Sequence, residues 1–83
     1  MQQINEIQTS LRREFVLYSS AIAFYKDSIR ALELKHGFDT QAFLKKFESG
    51  QLEDTVDFFD WYAFAKLLDR WEKAQAAIGS AIQ

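Results

Sequence analysis

The chain contains no proline, and its first glycine is Gly37. Proline and glycine are the residues that most readily stop a helix, so nothing in the first 36 positions interrupts one. Apolar residues there recur at Ile4, Ile7, Leu11, Phe15, Tyr18, Ile22, Tyr25, Ile29 and Leu32. They recur in steps of three and four, which is the period of one helical face and not of a strand. A helix of this kind, about 30 residues long, would run roughly 45 Å. Lys35 and His36 suit the negative end of its dipole, and Gly37 suits the left-handed position beyond it.

Two more segments follow. In FDTQAFLKKFESG, Asp39 is a candidate N-cap, Phe43, Leu44 and Phe47 give an apolar face, and Gly50 closes a helix of two to three turns. The last helix is expected to begin between Asp54 and Asp57. Its stripe is Trp61, Phe64, Leu68, Trp71, Gln75, Ile78 and Ile82. With Gly37, Gly50 and Gly79 read as punctuation, helices are expected at about 3–36, 40–48 and 55–80 of one domain, 1–83. The expected class is all-α: a long antiparallel helical hairpin with a short helix at its tip.

Both long helices carry more apolar surface than one partner helix covers. Beside the main stripe of the first runs Leu17, Phe24 and Ala31, spaced by sevens. The third has Phe64, Trp71 and Ile78, spaced likewise. Surplus of this kind marks an interaction surface. One reading is a homodimeric four-helix bundle with the second lines as its seam; the other is a surface kept for a different protein.

Residues 47–64, FESGQLEDTVDFFDWYAF, concentrate six aromatics and five carboxylates. Glu53, Asp54 and Asp57 fall at a helix start, where the dipole favours acids. Phe58, Trp61 and Phe64 have core spacing. Phe59 falls on the wheel among Lys66, Arg70 and Lys73, opposite Trp61, and is expected to point outward. Folding explains it least of the aromatics.

Chemistry is sparse. With one histidine and no cysteine, neither a thiolate metal site nor a nucleophile–histidine triad is in view. Asp57 and Asp60, three apart, are a weak pair for a hard cation. No glycine-rich phosphate loop occurs. The net charge of −2 gives no basic footprint for nucleic acid. Arg12, Arg13, Lys26 and Arg30 read as solvated residues interleaved with acids. No secretory leader or apolar span is visible, so a cytoplasmic protein is expected, with no membrane association. No enzyme activity, cofactor or metal is expected.

The segment KHGFDTQAFLKKFESGQLEDTVDFFDWYAF resembles a family of short helical bacterial and archaeal proteins. That family is antitoxin-like and encoded beside a small toxin gene, commonly one assigned to RNA cleavage. Phe47, Glu48, Ser49, Gly50, Leu52, Asp57, Phe58, Phe59 and Trp61 carry the resemblance, which runs from about Lys35 to Trp71, somewhat under half of the chain. Gln51 and Thr55, in a turn where more charge is the pattern, and the long amino-terminal helix depart from it. The resemblance implies a non-enzymatic antitoxin of a type II pair. In it Phe59 and Trp61 would anchor a toxin, and Phe64, Trp71, Leu17 and Phe24 would add apolar area. Asp54, Asp57 and Asp60 would face basic groups. The alternatives are a self-associating structural or regulatory homodimer, and a phage-type inhibitor of a nucleic-acid enzyme.

Overall fold

The structure is a computed structural model that describes the backbone of residues 2–82 and the side chains of residues 6–81. Ile4 and Ile82, the ends of the two expected stripes, have their side chains outside that range. The described chain is all-helical: α1 spans Gln2–His36, α2 Thr40–Glu48 and α3 Val56–Ile82.

Each boundary has a local cause. Gly37 takes φ +79°, and its N–H donates to the Glu33 carbonyl at 2.8 Å, the single bond of an αL cap. Two residues on, the Asp39 carboxylate accepts from Ala42 N–H at 2.8 Å and caps α2. The far end of α2 is a Schellman motif. There Gly50, at φ +73°, donates to the Phe47 carbonyl, and Gln51 N–H donates to the Lys46 carbonyl. At the start of α3 the cap is Thr55, whose Oγ1 accepts from Phe58 N–H at 3.2 Å. The acids expected to open α3 leave that role to Thr55: Glu53 and Asp54 precede the helix and are exposed.

Gly79 departs from the reading of it as punctuation. It lies inside α3, and a Cβ there would stand 3.3 Å from Phe15 Cε2. Its missing side chain lets a Phe15 ring lie against the α3 backbone. Gln75 fixes the same level, since its amide donates to the Phe15 carbonyl at 3.1 Å and also to Ser19 Oγ. A polar residue on an otherwise apolar seam specifies register at some cost in stability.

α3 packs lengthwise on α1, with contacts in reverse order along the chain. His36 meets Asp57 and Phe58, Tyr25 meets Phe64, Tyr18 meets Trp71, and Phe15 meets Gly79. At this register the last described residues of α3 come level with about Arg12. Ile7, expected in the buried stripe, lies past the level that the described residues of α3 reach and is 59% exposed.

The core is concentrated where three helices meet. Trp61 and Phe43 have no exposed surface, and Ile29 joins them from α1. The Trp61 and Phe43 rings stack with centroids 4.1 Å apart and planes 2° from parallel. Around them lie Phe38, Phe47 and Phe58. A buried indole N–H needs an acceptor. Trp61 Nε1 donates to Thr40 Oγ1 at 3.0 Å, and that hydroxyl donates to Glu33 Oε2 at 2.9 Å. The same carboxylate oxygen accepts from Thr40 N–H at 2.8 Å. One chain of hydrogen bonds thus ties α3, α2 and α1 together.

Thr40→Val keeps the shape but removes the acceptor for Trp61 and the hydroxyl donor to Glu33. Leaving a buried donor unsatisfied costs about 1–3 kcal/mol. Urea unfolding should show a loss in that range, while Ser20→Ala on exposed α1 should change stability by less than about 0.5 kcal/mol. Equal effects of the two substitutions would refute the role given to Thr40.

Candidate partner-binding site

The nine residues expected to contact a partner separate into three groups. Trp61 and Asp57 are used by the fold. Trp61 is fully buried beneath α2 and has no surface to offer, so its expected role as a partner anchor is corrected here. α2 supplies the cover through Phe43, and the start of α2 is held by Asp39 and Glu33, both far from Trp61 in the sequence.

Asp57, in the first turn of α3, faces the last turn of α1. Its Oδ2 lies 2.7 Å from Lys35 Nζ and 2.9 Å from His36 Nε2. The hydrogen bond from Lys35, then that from His36, holds its carboxyl below the ordinary value of 3.8. A negative charge at a helix N-terminus, and hydrogen bonds from the Lys35 ammonium and the His36 ring at a helix C-terminus, favour the carboxylate alike. Asp57 therefore joins the two helix ends rather than facing outward with Asp54 and Asp60.

The second group lies on the outer side of the start of α3. Phe59 is 54% exposed and touches the rest of the chain through an edge contact with Phe47, centroids 5.8 Å apart. Val56, 75% exposed, precedes it by three residues, and exposed Ala63 follows by four. These positions share one helical face. Glu53, Asp54 and Asp60 beside them are exposed and make no ion pair among the described residues. Val56 was not singled out from sequence. The 3,4 spacing of Val56, Phe59 and Ala63 was its signal, readable only once the first residue of α3 is fixed. Two of the three cations that the wheel set around Phe59 are engaged elsewhere: Lys66 with Glu48 at 3.7 Å and over the Tyr62 ring, Lys73 with Asp69 at 2.9 Å.

The third group is the pair of second lines. Leu17 and Phe24 are 66% and 60% exposed, and Ala31 is exposed in the same row. Phe64, Trp71 and Ile78 are half-buried. Phe24 sets its edge on Phe64 at 6.3 Å, and Tyr18 sets its edge on Trp71 at 4.7 Å. The two lines thus flank the α1–α3 seam on one side. α2 covers the other: Tyr62, stacked on Phe47 at 4.6 Å, lies about 200° round α3 from Phe64 at 100° per residue.

Among the described residues no group of three or more His, Cys, Asp or Glu side chains is placed to hold a metal ion. No described helix is long and apolar enough to cross a membrane. No family model, curated protein or solved structure matches the chain.

The Asp57 contacts predict a pH dependence with a definite sign. A carboxyl whose folded pKa lies below its unfolded value stabilises the fold above the unfolded value, and that stabilisation is lost as pH falls through the folded one. Asp57→Asn should lower the melting temperature at pH 7, and the gap to the natural chain should close below pH 3.8. A constant gap from pH 7 to strongly acidic solution would rule out the ionised Asp57 as its source.

Proposed function

We propose that this chain is a non-enzymatic protein–protein interaction module, the antitoxin of a type II toxin–antitoxin pair acting in the cytoplasm. In this reading α1 and α3 form an antiparallel hairpin with α2 at its tip. Two hairpins associate into a four-helix bundle, and each binds a toxin. The toxin implied by the family resemblance is an RNA-cleaving enzyme.

The observation that supports the reading is the exposed pair Val56 and Phe59, set among three acids without ion pairs. Aromatic side chains that project from a rigid helix lose little entropy on docking and are common hot spots of interfaces. An RNA-cleaving enzyme has a cleft of basic groups that face phosphates. Glu53, Asp54 and Asp60 present negative charge beside an apolar anchor, so they complement such a cleft and compete with its substrate. Asp57 has no part in this contact because Lys35 and His36 already hold it.

A second reading, a homodimeric structural or regulatory protein with itself as sole partner, draws on the exposure of Leu17 and Phe24. The two readings separate in one co-expression experiment with the neighbouring open reading frame. The antitoxin reading expects growth arrest by the neighbour alone, relief by this chain, and co-purification of the two. Absence of both toxicity and complex would leave the homodimer.

Phe59→Ala tests the anchor within that complex. Truncating a hot-spot aromatic costs at least about 2 kcal/mol, close to a thirtyfold loss of affinity. Helicity should be unchanged, because more than half of the side chain is exposed in the isolated chain. Toxin affinity intact in the variant would remove Phe59 from the contact.

A further inference from the structure

We infer that the side of the α1–α3 layer opposite α2 is covered by a second copy of this chain, with the two layers pointing in opposite directions. The assignment rests on the proposed self-association and specifies its face and orientation.

The first argument is area. The chain measures 56 × 21 × 17 Å and exposes 6207 Å². A compact monomer of 9.7 kDa exposes about 5100 Å². The surplus, about 1100 Å², is on the scale of the roughly 800 Å² that each partner buries in a standard interface. Part of it is an uncharged, mainly apolar row. Within the roughly 100° arc centred on each second line, no charged residue occurs from Leu17 to Ala31 or from Phe64 to Ile78.

The second argument is charge. Arg13 ends the row on α1, exposed and without an ion pair among the described residues. Asp60 ends the row on α3 in the same condition. The neighbours of Asp60, Trp61 and Asp57, pack on Ile29 and His36, which puts Asp60 level with α1 residues 30–33. Arg13 and Asp60 therefore stand at opposite ends of the layer, about 27 Å apart along it. A two-fold axis crossing the helices midway brings each copy's Arg13 to the same end as the other copy's Asp60. A two-fold parallel to the helices would instead collect the two arginines at one end and the two aspartates at the other.

The third argument is shape. The midpoint between Arg13 and Asp60 is level with Ile22. Phe24 and Phe64 lie on one side of that level, Leu17 and Trp71 on the other. The crossing two-fold lays α1 on α1 and α3 on α3. Phe24 of each copy then lies between Phe24 and Leu17 of the other along one seam, and Phe64 of each lies level with Trp71 of the other along the second. A self-complementary patch of this kind is what a closed dimer requires. Asp60 stands at the rim of this interface, and Val56, Phe59, Glu53 and Asp54 lie outside it, open to a different protein.

Sedimentation equilibrium of the full chain tests the inference, with circular dichroism checking that each variant stays helical. The natural chain should be a dimer. Phe24→Asp, at a position 60% exposed in the single chain, should be a helical monomer. Arg13→Asp should raise the dimer dissociation constant at least about tenfold, and the exchange Arg13→Asp with Asp60→Arg should restore it. A monomeric natural chain would overturn both this inference and the proposed self-association. A dimer insensitive to Phe24→Asp would overturn the face alone. An exchange variant no better than Arg13→Asp would overturn the orientation alone.

Discussion

The rest of the molecule depends on the burial of one indole. Trp61 can lie in the interior only if α2 covers it with Phe43 and if its N–H finds an acceptor. Thr40, the first residue of α2, provides that acceptor and passes a hydrogen bond to Glu33 of α1. The stack and the hydrogen-bond chain place α2 on one side of the α1–α3 layer and at one end of it. What α2 does not reach follows from that placement: the exposed second lines on the opposite side and the outward face of Val56 and Phe59.

The same arrangement explains why aromatics and acids share eighteen residues. Phe47, Phe58, Trp61 and Tyr62 serve the junction of the three helices. Asp57 closes the helix ends against Lys35 and His36, and Glu48 pairs with Lys66. What remains unabsorbed is small and contiguous: Val56 and Phe59 with Glu53, Asp54 and Asp60. A chain this short has few residues to spare from folding. Apolar and acidic side chains left together in solvent are thus the strongest pointer it offers to a partner.

The sequence made the helical class plain because its signals are local. A proline-free run with apolar steps of three and four has one regular solution, and Gly37 and Gly50 stand at positive φ where the backbone turns. The outward direction of Phe59 was also legible, from its wheel position opposite Trp61. The misread residues all depend on contacts distant in sequence. Gly79 looked like a terminator, yet its role is set by Phe15 across the layer. Asp57 looked like one of several solvated acids until α1 brought Lys35 and His36 beside it. Trp61 carries the same helical spacing whether it faces a core or a partner, and only the position of α2 decides between them.

Native-state hydrogen exchange tests most directly whether the three-helix junction governs the fold. Amides open locally with free energies that follow burial and packing, up to the global value at the most protected sites. With the junction as the source of order, the slowest amides should be those near Ile29, Phe43 and Trp61, and Thr40→Val should speed all three together. The amides of α1 before Leu11 should exchange fastest among the helices. Slowest exchange near Phe15 and Gly79, with the junction already open, would contradict this account.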